Sequence, residues 1–227
     1  MTRSCVLVVA LSCAVLASPL LCASDLSSYR EFKLGSALPA VARQVKMEPS
    51  QARVIHSRPA LIQVLDWRPQ SLGPSTRPES AGAVLFSFYN GELHRIVVTY
   101  DNRTTEGLTT QDLMDAISAT YGAASIEGAG IVLPSIYGGD ETLAVLARWE
   151  DAEYAINLVR FDGQPNFTLV AFSKRLDALA RTAAAEAVRL DAQEAPQKEV
   201  DSQIRLAEEY RVRQEKARIA NKPAFRP

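Results

Sequence analysis

Residues 83–100 run AVLFSFYNGELHRIVVTY. Two stretches rich in β-branched and aromatic residues flank Asn90-Gly91, the dipeptide that best tolerates the positive φ angles of a two-residue hairpin turn. The pattern predicts strands over 83–89 and 92–100. With Asn90 and Gly91 as the loop, Phe88 should pair with Leu93, Phe86 with Arg95 and Val84 with Val97 on one side. Tyr89, Leu85, Ile96, Val98 and His94 then occupy the other. Both sides are largely apolar, so each face of the sheet needs a cover.

Upstream of the hairpin lies a further apolar strand, Leu61 to Trp67, and before it a short amphipathic helix in which Gly35 is followed by Leu38, Val41, Ala42 and Val45. The same order returns about 72 residues on. Gly107 precedes Leu113, Met114 and Ile117 at helical spacing, with Thr109 or Thr110 as N-cap, Asp112 in the first turn and Gly122 as the stop. An apolar strand from Leu143 to Trp149 follows, then Tyr154 to Phe161 and Phe167 to Ser173 around Asp162-Gly163. The expected fold is therefore α+β. Two tandem helix-plus-antiparallel-sheet repeats, each with a three-stranded meander, occupy 24–103 and 104–174, and a long C-terminal helical extension fills 175–227. Arg68 to Gly82, rich in Pro, Gly and Ser, should be an exposed loop and a place for function.

The tail is a different material. From Leu176 onward the chain has no glycine and is dense in strong helix formers. Leu176, Leu179, Ala180, Ala183, Ala187 and Leu190 make one narrow apolar stripe, Pro196 is expected to interrupt the helix, and Val200, Ile204 and Ala207 continue beyond it. Glu194/Lys198, Asp201/Arg205 and Glu209/Arg213 stand at i,i+4 spacing. Residues 176–201 hold six acidic and three basic side chains, whereas 202–227 hold three acidic and seven basic. The basic end can touch membrane or cell wall peripherally, and the helix can make a homo-oligomer through a coiled coil, although it lacks sustained large residues at a and d.

Across all 227 residues, 25 basic side chains meet 26 acidic ones, for a formal charge of −1. Such balance gives no reason for the molecule to follow a polyanion, so no nucleic-acid partner is expected. Residues 1–23 have one charge (Arg3), an apolar run from Cys5 to Leu16 and small residues before Ser24, the layout of a secretory signal peptide. The mature chain is expected in the periplasm or extracellular space. Cys5, Cys13 and Cys22 all lie inside that segment, so cleavage near Ala23 removes every thiol and with it disulfides and zinc-thiolate sites.

Chemistry is sparse. His56 and His94 are the only histidines, and each reads as a structural or surface residue. Asp140-Glu141 and Glu150-Asp151-Ala152-Glu153 lack the spaced ligands of a calcium loop and read as turns. No Gly-x-Ser-x-Gly elbow and no dinucleotide fingerprint is present. The chain is expected not to be an enzyme, with no catalytic residue, no metal and no cofactor. Trp67 and Trp149 stand at matched strand ends, where core packing competes with a binding role; together with Phe86 and Phe88 they are the candidate binding residues.

Gly107-Leu108-Thr109-Thr110-Gln111-Asp112-Leu113, followed by a strand reaching tryptophan and further strands around a glycine turn, resembles the SmpA/OmlA family of small envelope lipoproteins. Two such units in tandem resemble the architecture of the β-lactamase inhibitory protein. The resemblance spans about Glu31 to Ser173 and implies a binding fold without an active site. It departs from the family in having no good lipobox before Cys22. The expected function is an exported, non-catalytic protein-binding module of the cell envelope or extracellular space. An inhibitor of a secreted enzyme and a cell-wall hydrolase with a carboxylate site are the rival readings.

Overall fold

The structure is a computed structural model, and it describes residues 25–69, 80–125, 130–134, 140–160, 166–223 and 226. The expected signal peptide with its cysteines, the centre of the proline-rich loop and the expected turn at Asp162-Gly163 lie outside the described residues. The chain begins with a small hairpin, β1 (Ser28–Tyr29) and β2 (Phe32–Lys33), followed by α1 (Leu38–Gln44). Then come β3 (Arg53–His56), β4 (Ile62–Trp67), β5 (Ala81–Tyr89) and β6 (Glu92–Tyr100). After α2 (Asn102–Thr105) and α3 (Thr110–Tyr121) the chain forms β7 (Gly130–Pro134), β8 (Asp140–Glu150), β9 (Tyr154–Arg160) and β10 (Phe167–Ser173). It ends in the 48-residue helix α4 (Lys174–Asn221).

Eight strands form one antiparallel sheet in the order β3-β4-β5-β6-β10-β9-β8-β7, joined at its middle by β6 and β10. Each half has four strands where three were expected, because β3 and β7 add an outer strand to each meander. The α3 expectations hold in detail. Thr109 Oγ1 accepts from the Asp112 amide, Asp112 closes the capping box on the Thr109 amide, and Gly122 ends the helix at φ +85°.

The Asn90-Gly91 turn also forms, with φ of 49° and 85° at the two loop residues. Its register differs from the simple alternation. Phe88 pairs with Leu93, but the next pair is Ser87 with Arg95, so His94 is an extra residue, a β-bulge. Phe86 therefore faces Ile96 instead of Arg95, and Val84 faces Val98 instead of Val97. One inserted residue sorts the strand, with Leu93, Ile96 and Val98 in the main core beside Val84, Phe86 and Phe88, while Arg95 joins the opposite face.

The main core lies between the sheet and a layer made by the β1-β2 hairpin, α1 and α3. Leu38, Val41 and Ala42 from α1 and Leu113 and Ile117 from α3 cover it. Phe32 from the small hairpin meets Phe86 at 4.7 Å and Trp67 at 5.8 Å between ring centroids. On the opposite face, Leu143, Val145, Val159 and Val170 form a second cluster, and Ala60, Ile62 and Ala183 a third, the last brought by α4.

Helix α4 runs unbroken through Pro196, contrary to the expected interruption. Proline there removes one amide donor, but the stretch is exposed, so water can satisfy the freed carbonyl, and its Ala, Gln and Glu neighbours favour helix. At 1.5 Å per residue α4 is about 72 Å long. Because Phe86 is fully buried against Phe32 and Trp67, Phe86→Ala should lower unfolding free energy by about 3–5 kcal/mol. Urea denaturation checks this, and a loss below about 1 kcal/mol would contradict the packing.

Candidate functional site

The four candidate binding residues are not on an accessible surface together. Phe86 and Phe88 are fully buried and Trp149 is 2% exposed, all in the main core. Strand alternation points them inward, beneath the helical layer, so they cannot anchor a partner. Trp149 Nε1 donates to the Gly122 carbonyl at 2.9 Å and lies 3.2 Å from Ser118 Oγ, tying the end of α3 to the sheet. Trp67 is half-buried and stacks on Phe86. Core packing, the competing role for both tryptophans, accounts for what they touch.

Polar chemistry gathers instead beneath the first turns of α4. Ser173 caps the helix, its backbone geometry extended and its hydroxyl 3.5 Å from the Leu176 amide. One turn in, Asp177 is 1% exposed. Its Oδ1 accepts from Arg95 Nε at 2.8 Å and meets Arg95 Nη2 as well. Arg181, one turn further along α4, lies with Nε 3.2 Å from Oδ2. His94 Nδ1 stands 3.3 Å from Oδ1, close enough for charge to be felt but without hydrogen-bonding alignment. The bulge explains the cluster, since consecutive strand residues ordinarily point to opposite faces, yet His94 and Arg95 reach the same carboxylate.

Electrostatics follow from burial and neighbours. Desolvation alone would raise the Asp177 carboxyl, but His94, Arg95 and Arg181 outweigh it and hold the group below the usual carboxylate range. Desolvation lowers the His94 imidazole, opposed by Asp177 and aided by Arg95. His94 is thus a neutral buried histidine at neutral pH, in keeping with its structural reading. Among the described residues no three His, Cys, Asp or Glu side chains converge as metal ligands.

Further contacts fix the path of α4. Lys174 Nζ donates to the Asp151 carbonyl and pairs with Glu150, each at 2.7 Å. Ala183 packs beside Ile62, and Arg58, between β3 and β4, clamps Asp191 and Glu194. That guanidinium holds the Glu194 carboxyl down to about 2. Beyond Glu194 no hydrogen bond or ion pair joins the helix to the sheet body among the described residues, and nearly all of its side chains there are exposed. Val200, Ile204, Leu206, Tyr210 and Ile219 are between 49% and 64% exposed.

Sequence reasoning missed Arg95 and Asp177 as partners. A signal was present: His94-Arg95 puts two polar residues in succession inside an apolar strand, which breaks alternation as a bulge does. Comparison with protein-family models, curated proteins and solved structures gives no match. Among the described residues no helix is long and apolar enough to cross a membrane.

The two lowered pKa values give the cluster a definite pH dependence. Both His94 and Asp177 bind protons more readily when unfolded, so their contribution is present above the unfolded values and lost as pH falls. Stability should hold above pH 6.5, decline below it through His94, and decline again below 3.8 through Asp177. Thermal melts of the wild type and His94→Gln check this, the variant losing the upper step. Asp177→Asn, which leaves Arg95 buried without its counter-charge, should cost about 3–5 kcal/mol, while Asp177→Leu with Arg95→Met should recover most of it.

Proposed function

We propose that this chain is an exported, non-catalytic protein-binding module, in which the sheet body is a rigid mount and the distal part of α4 makes the contact. One observation carries the reading. An isolated solvated helix needs no large apolar side chains, yet past the Arg58 clamp at Glu194 α4 exposes Val200, Ile204, Leu206, Tyr210 and Ile219. The expected contact surface thus moves from the aromatic sheet face, which is buried, to the tail. Export rests on the signal-peptide layout of residues 1–23.

The two halves of the sheet are read here as copies of one duplicated segment. Helix followed by four antiparallel strands occurs in each, and the halves meet through their final strands. The resemblance to the SmpA/OmlA family belongs to the same reading, as does the absence of catalysis. A photo-reactive amino acid in place of Tyr210 tests the contact. Irradiation of cells producing the full chain should give a covalent protein adduct; no adduct would contradict a contact on this segment.

A further inference from the structure

Helix α4 sits on the sheet through a seat of its own. The main core draws on the small hairpin, α1, α3 and both halves of the sheet, and holds no residue of α4. The helix buries Asp177, Ala180, Ala183 and Ala187, with Leu176 as its one large buried apolar side chain. Into that seat the β6 bulge places His94, which is 5% exposed and likewise stands outside the main core. Its Nδ1 is buried without a hydrogen-bond partner, 3.3 Å from the Asp177 oxygen that already accepts from Arg95. The charged groups acting on the imidazole are Asp177 of α4 and Arg95 of its own strand, with Arg181 of α4 on the other oxygen of the same carboxylate. β5 sets Ser87 and Phe88 opposite the bulge, and the next pair along that ladder is Tyr89 with the exposed Glu92. β10 ends there on Phe172 and Ser173, and Gly35-Ser36-Ala37, which runs along the start of β6, brings no charge.

We propose that His94 is an acid-sensitive latch, at which a proton on the imidazole unseats the root of α4, residues 176–187, while the main core and the sheet stay folded. The inference stands on the seat itself and not on the contact reading of the distal segment. In the closed arrangement one buried carboxylate balances one buried guanidinium. A second buried cation leaves the seat with an uncompensated charge, because the facing Asp177 oxygen is already held by Arg95. Lifting α4 lets water reach His94, so protonation favours the lifted arrangement, whereas burial keeps the closed imidazole below 6.5. The lift uncovers Leu176 and three alanines and removes nothing from the main core. The Arg58 clamp does not share the response. Arg58 keeps the Glu194 carboxyl down to about 2, and Lys198 with Arg58 keeps Asp191 below its ordinary range, so both stay ionised in mild acid. Being exposed, those pairs do little to hold the root down by themselves.

Hydrogen–deuterium exchange of the full chain at about pH 7.5 and about pH 5, expressed as protection relative to the unstructured rate at each pH, reads the latch. Protection of residues 176–187 should fall in acid by at least about threefold and at most about thirtyfold, the ceiling set by the roughly 1.5 pH units between 6.5 and the working pH. Amides of β5 and β9 should keep theirs. His94→Gln should abolish the difference, and His56→Gln should retain it. The His56→Gln chain has a single imidazole, whose protonation can be followed by NMR and should coincide with the loss at 176–187, which keeps the test open should His94→Gln fail to fold. Equal protection of 176–187 at both pH values would overturn the inference. So would a loss shared equally by β5 and β9, a loss that persists in folded His94→Gln, or one that sets in before the imidazole takes its proton.

Discussion

The carboxylate of Asp177 held by Arg95 is the constraint on which the rest of the molecule hangs. Charge this deeply buried is tolerable only with its counter-charge in place, and that counter-charge reaches the α4 side only because His94 is inserted opposite Ser87 and Phe88. Without the extra residue the strand would keep strict alternation past Leu93. Arg95 would then enter the main core opposite Phe86, and Ile96 would leave it. A single bulge thus sorts two faces, completing an apolar core on one and supplying a cationic socket on the other.

The socket matters because α4 has little else with which to hold the sheet. Its buried stripe after Leu176 is Ala180, Ala183 and Ala187, and a methyl group contributes only about 0.8 kcal/mol on burial. Alanines allow close approach but say little about rotation or axial position. Asp177 fixes both near the helix start, and Arg58 adds an exposed clamp at Asp191 and Glu194. With its first five turns fixed, the direction of the remaining helix is set, which is how residues at the sheet centre decide where Val200 to Ile219 are presented.

Much of this was legible from residues alone. Asn90-Gly91 disclosed the hairpin, Thr109 with Asp112 disclosed the start of α3, and the composition after Leu176 disclosed a long helix. What escaped has physical reasons. Alternation cannot distinguish a regular strand from one with an inserted residue until its neighbours are known, so the pairings of Phe86 and Val84 slipped by one. Phe86, Phe88 and Trp149 have the same composition whether they anchor a partner or fill a core, and only the small hairpin and helices above them decide. Pro196 looked like a break because its cost is set by solvent exposure, which sequence does not display. Asp177 resembled a routine first-turn acid, and nothing local marked its partner 82 residues earlier.

Hydrogen–deuterium exchange resolved along the chain tests the central claim most directly, by comparing wild type with Arg95→Met. Amides of residues 176–187 should lose protection strongly in the variant while those of β5 and the core-facing part of β6 keep theirs, because the socket fails but the main core does not. Unchanged protection of residues 176–187 would mean that the alanine stripe holds α4 by itself, and would contradict the account.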